Sequence, residues 1–91
     1  MADQTQTEKY RLAIADARNE AERLRTLATH DSVTAWINVV IRDLNDADRW
    51  VAETEDSFRF AMADVSISAA AARLKVINDA IKTHGADVKF V

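Results

Sequence analysis

The stretch VTAWINVVIRDLNDADRWV, residues 33–51, places apolar side chains at Val33, Ile37, Val40, Leu44, Ala47 and Val51. The steps between them alternate four and three, a spacing that holds side chains on one face of an α-helix and does not fit the two-residue period of a strand. Trp36 and Trp50 flank one side of this stripe, and Val39 and Ile41 lie further round. At about 100° per residue, the apolar arc on the first half of the helix is roughly 200° wide. Packing against one neighbour uses only about half of such an arc. The segment therefore predicts a helix with several neighbours, and an all-α antiparallel bundle of three helices is the simplest fold that supplies them.

On the N-terminal side, Asp31 or Ser32 is the expected N-cap of this second helix. Before it, Tyr10, Ile14, Ala17, Ala21, Leu24 and Ala28 repeat the same spacing and predict a first helix over about residues 5–29. Half of that stripe is alanine, which lets another helix approach closely. Thr5 with Glu8 reads as a capping box at its start, and Thr29-His30 as its end.

On the C-terminal side, two ends of the second helix compete. The polar run Glu53-Thr54-Glu55-Asp56-Ser57 offers a break that would leave helices over 32–54 and 57–84. The run Asp64-Val65-Ser66-Ile67-Ser68 offers a later one, giving a short-long-short arrangement with helices over 32–64 and 67–84. The stripe at Val40, Leu44, Ala47 and Val51 continues in phase through Phe58, Met62 and Val65, which favours one helix running to about Asp64. The last helix carries two apolar stripes, Ile67-Ala70-Leu74-Ile77-Ile81 and Ala69-Ala72-Val76-Ala80, on well-separated faces. His84-Gly85 reads as its C-cap, with Gly85 in the left-handed conformation. The tail over residues 85–91 has apolar residues at alternate positions, suiting a short extended segment folded back over the bundle or an adhesive end.

Composition agrees with helices. With no proline and a single glycine in 91 residues, the chain lacks the corner residues that hairpins need. The hydrophobic share of 48% and charged share of 30% belong to a folded domain and argue against disorder. The formal charge of −3 has its two signs interleaved along the chain, which disfavours nucleic acid as a partner. No apolar run approaches the about eighteen residues that cross a bilayer, and the first residues lack a basic-then-apolar leader pattern, so the expected location is the cytoplasm.

The candidates for chemistry are few. His30 and His84 fall at expected helix C-termini, at one end of the bundle beside Asp31 and Asp87, but without the spacing of a zinc or di-iron set. The run Asp43-Leu44-Asn45-Asp46-Ala47-Asp48 lacks the glycine and closing acid of a calcium loop and reads as a solvated helix face. Ser32 after Asp31 is accounted for as a cap. Neither a metal nor a cofactor is expected. Arg11, Arg18 and Arg25 repeat every seven residues, and their guanidinium forks suit carboxylate or phosphate, so a helical enzyme or anionic-ligand binder built on this row is the alternative reading. Pairing with acids such as Glu22, Asp43 or Asp46 is the competing role.

The preferred expectation follows from apolar area. The later helices carry more apolar face than one copy covers, so the chain is expected to self-associate as a homodimer or higher oligomer. It would act as a non-enzymatic adaptor, inhibitor or assembly subunit, with a further protein as a second kind of partner. The expected interface residues are Trp36, Val39, Ile41, Trp50, Phe60, Ile67, Leu74, Ile77, Ile81 and Phe90.

Overall fold

The computed structural model describes residues 2–90, and the side chains of residues 5–90. It contains three helices, α1 (Ala2–Leu27), α2 (Asp31–Ala52) and α3 (Arg59–His84), and no strand among the described residues. Contacts between residues far apart in sequence fix their directions. Arg18 pairs with Asp48 and Arg25 with Asn38, so α1 and α2 are antiparallel. Arg73 pairs with Asp43 and Arg59 with the Val51 carbonyl, so α2 and α3 are antiparallel too. No helix is long and apolar enough to cross a membrane, among the described residues.

The core is built from one stripe per helix. From α1 come Ile14, Ala21 and Leu24; from α2 come Val33, Ile37, Val40, Leu44, Ala47 and Val51; from α3 come Ala63, Ala70, Leu74 and Ile77. Alanine at 21, 47, 63 and 70 keeps the helices close, as the Ala content of the α1 stripe predicts. Tyr10, Ala17, Ala28, Ile41, Trp50, Ile67 and Ile81 close the edges of this core.

The long second helix does not form. The chain turns between Ala52 and Arg59, at the polar run, and three local interactions hold the turn. The Glu53 N–H donates to the Trp50 carbonyl (3.1 Å), ending α2. The Asp56 carboxylate accepts from the Phe58 N–H (2.8 Å), which competes with continued helix. Arg59 then reaches back, its Nη2 donating to the Val51 carbonyl (2.6 Å), one of the acceptors that a helix end leaves without a partner, and to Thr7 Oγ1 of α1 (3.0 Å). Its guanidinium also lies over the Phe60 ring, 4.3 Å from the centroid. Arg59 thus joins all three helices at one end while only 8% exposed, and its Nε is buried without a partner.

Other local expectations shift in detail. α1 already begins at Ala2, so Thr5 and Glu8 lie inside the helix and make no capping box at its start. The N-cap of α2 is neither Asp31 nor Ser32 but His30, whose Nδ1 accepts from the Ser32 N–H (3.1 Å) and lies 2.7 Å from Ser32 Oγ. An imidazole nitrogen here takes the role usually given to a short polar side chain.

The tail folds back. Thr29 N–H donates to the Ala86 carbonyl (3.0 Å), Phe90 N–H donates to Ser32 Oγ (2.8 Å), and the Phe90 ring meets Trp36 edge-on with centroids 5.9 Å apart. Gly85 makes the corner with φ 96° and ψ 171°. The positive φ agrees with the sequence expectation, but the ψ lies outside the left-handed helical region, in an area essentially restricted to glycine. A Cβ at this position would stand 3.2 Å from Asp87 Oδ1. Replacing Gly85 by alanine is therefore expected to destabilise the fold by about 1–3 kcal/mol, read as a lower thermal midpoint. An unchanged midpoint would show that the corner relaxes freely.

Candidate functional site

The helices bring the residues singled out from sequence to very different places. Leu74 (7% exposed) and Ile77 (0%) belong to the core of a single chain and offer nothing to a partner. Ile41, Trp50, Ile67 and Ile81 are half-buried along the core edge. Phe60 stacks on Tyr10, ring centroids 5.0 Å apart and planes 11° from parallel, joining α3 to α1. Phe90 covers one edge of Trp36, which nevertheless remains 42% exposed. Val39 is half-buried and, with Ala35, Trp36 and Arg73, lines a shallow hollow of about 230 Å³ between α2 and α3.

The arginine row does not converge. Arg11 is exposed on α1. Arg18 forms an ion pair with Asp48 rather than with Glu22, Asp43 or Asp46. Arg25 lies 3.7 Å from Glu22 and donates to Asn38 Oδ1 at 2.7 Å. Two of the three are thus engaged by protein acceptors, and they stitch α1 to α2. The histidines are likewise separate in role, His30 as a cap and His84 exposed beyond the core. Among the described residues, no group of three or more His, Cys, Asp or Glu side chains is arranged to hold a metal ion.

A hollow of about 640 Å³ lies between the N-terminal halves of α1 and α3 and is lined by Thr5, Gln6, Lys9, Tyr10, Ala13, Asp64 and Ile67. Its floor is apolar, from Tyr10, Ala13 and Ile67, and its rim carries one ammonium and one carboxylate. Burial raises the Tyr10 pKa, and a hydrogen bond to Asp64 raises it further, so the phenol is held protonated as a donor.

The outer surface of α3 is legible in the sequence only in part: Ala69, Ala72 and Val76 lie on the second face that their spacing predicts, whereas Phe58, Met62 and Val65 belong to that same face and not to α2. Phe58 (70% exposed), Met62 (38%), Val65 (64%) and Val76 (58%) are the large apolar residues there. With half-buried Ala69 and exposed Ala72, they step by four and three along the helix. At about 100° per residue, this stripe is centred about 140° from the core stripe of the same helix. Arg73, adjacent to Ala72, pairs with Asp43 of α2, so the stripe lies on the α2 side of the outer surface, beside the hollow of Trp36 and Val39. By contrast, Leu12 (66%) and Leu27 (42%) are isolated on α1. Scattered apolar side chains are ordinary on a protein surface, whereas a continuous stripe is not.

The class defined by this geometry is an antiparallel three-helix bundle with an uncovered apolar ridge. Comparison of the chain with protein-family models, with curated proteins and with solved structures yields no match.

Because Tyr10 is the single tyrosine, its ionisation is directly readable by ultraviolet absorbance. It is expected to titrate above the ordinary value of about 10, with Asp64→Asn bringing it part of the way down. The raised native pKa means that this contribution to stability is full below the unfolded pKa and is lost as pH rises through the folded one. A Tyr10 titrating at or below the free-tyrosine value would contradict the half-buried, donor role.

Proposed function

We propose that this chain is a self-associating helical interaction module whose contact surface is the outer face of α3, bordered by Trp36 and Val39 of α2. The supporting observation is the stripe from Phe58 to Val76, which runs in heptad steps and whose members Phe58, Val65 and Val76 are more than half exposed in the single chain. Fully burying a large apolar side chain contributes roughly 1.5–3 kcal/mol, so covering Phe58, Met62, Val65 and Val76 is a strong driver of association. Two-fold pairing is the commonest way for a soluble chain to meet that need. An adaptor, inhibitor or assembly role is compatible with such a module, with the paired form presenting its remaining surfaces to another protein.

The test is molar mass by light scattering at micromolar concentration. The wild-type chain should have at least twice the 10.2 kDa of one copy. Val65→Asp puts a charge at the middle of the stripe, at a site 64% exposed in the single chain, so the helices should persist by circular dichroism while the mass falls to that of one copy. A wild-type mass of one copy across the micromolar range would refute the proposal.

A further inference from the structure

We infer that the occupant of the α3 ridge is a second copy of the same chain, laid antiparallel, with the two-fold axis near residue 67 and Phe58 of each copy seated in the other's Ala35-Trp36-Val39-Arg73 hollow. This rests on the self-association proposed above and specifies its partner and geometry.

The first argument is the grading of the ridge. Its N-terminal half carries the bulky residues Phe58, Met62 and Val65, and its C-terminal half carries Ala69, Ala72 and Val76. An antiparallel pairing opposes Phe58 with Val76, Met62 with Ala72, and Val65 with Ala69, so that each larger side chain meets a smaller one at every level. A parallel pairing sets Phe58 against Phe58 and alanine against alanine, which overfills one end and leaves voids at the other. Both faults are costly in a packed interface.

The second argument is the hollow. Arg73 lies three residues before Val76, so the space it lines with Ala35, Trp36 and Val39 stands beside the place where the partner's Phe58 arrives. Phe58 is the most exposed large apolar residue on the ridge, and the hollow offers it the face of α2 as well as α3. This second helix matters to the area. A ridge about 27 Å long and about 10 Å wide covers a footprint of only about 300 Å², whereas a standard interface takes about 800 Å² from each partner. Contact that extends across α2 roughly doubles the footprint.

The third argument is charge. The turn between α2 and α3 is acidic, with Glu53, Glu55 and Asp56, and it precedes the ridge. The far end of α3 carries both signs, with exposed Lys75, Asp79 and Lys82, and Lys82 faces Glu20 of α1. The antiparallel register keeps the two acidic turns at opposite ends of the pair. In a parallel register the two acidic turns face one another, which opposes association.

Pulsed dipolar spin-label spectroscopy reads the arrangement directly, because the chain has no cysteine of its own and single labels are unambiguous. Labels are placed singly at the exposed positions Ser68→Cys and Thr83→Cys in the full chain. Across an antiparallel dimer, the labels at 68 stand close to the axis, within about 20 Å, while those at 83 are separated by about 48 Å along the helices. Phe58→Ala should also raise the dimer dissociation constant by about tenfold or more, as truncation of an interface anchor does. Short distances at both positions would establish a parallel pair and overturn the inference. So would a dimer with no short distance at 68, which would lie on another face and leave self-association itself standing. A single-copy mass with no dipolar coupling would instead remove the underlying proposal.

Discussion

Two apolar faces on one helix, about 140° apart, set the main constraint on this molecule. A three-helix bundle gives α3 two neighbours, and both press on the same half of its surface. α2 approaches through the Arg73–Asp43 pair and the Arg59–Val51 contact, and α1 through the stacked Tyr10 and Phe60 rings and the Arg23–Asn78 hydrogen bond (3.0 Å). On the opposite half, Phe58, Val65 and Val76 remain more than half exposed. The connections between the helices, residues 28–30 and 53–58, are too short to wrap around the outer face of α3.

The polar interactions around this core mostly position elements rather than build a reaction centre. Arg59 holds the last turn of α2 against α1 and the start of α3, and Arg18, Arg25 and Arg73 each tie one helix to the next. An exposed ion pair such as Arg18–Asp48 contributes little energy, on the order of 0–1 kcal/mol, but contacts of this kind help to choose the register in which the apolar stripes meet. The tail adds a seal at the other end. Val88 and Phe90 pack on the core edge, and the Phe90 N–H binds the same Ser32 hydroxyl that contacts the capping His30.

Much of this was legible in the residues. Every member of the Val33-to-Val51 stripe is buried, and the α1 stripe and the Ala70-Leu74-Ile77 row lie where their spacing puts them, because a four-and-three repeat leaves few alternatives in a helix. The turn after Ala52 was misread for a physical reason. Phe58, Met62 and Val65 continue the phase of the α2 stripe by coincidence of spacing, while in space they begin the outer face of a new helix. The available signal was Asp56, two residues before Phe58 and able to capture its N–H, within a run of five polar residues. The burial of Arg59 had no counterpart in the apolar pattern, since a charged residue in a core position breaks the rule on which the pattern rests. The arginine row was visible as a repeat, but its destination depended on which acids α2 carried to the same level.

The most direct check on the account is the thermal unfolding midpoint of the unmodified chain, followed by circular dichroism over about a hundredfold range of protein concentration. If folding is coupled to pairing through the α3 ridge, mass action requires the midpoint to rise with concentration. A midpoint that stays constant over that range would mean that one copy is complete as it stands and that the exposed ridge drives no association.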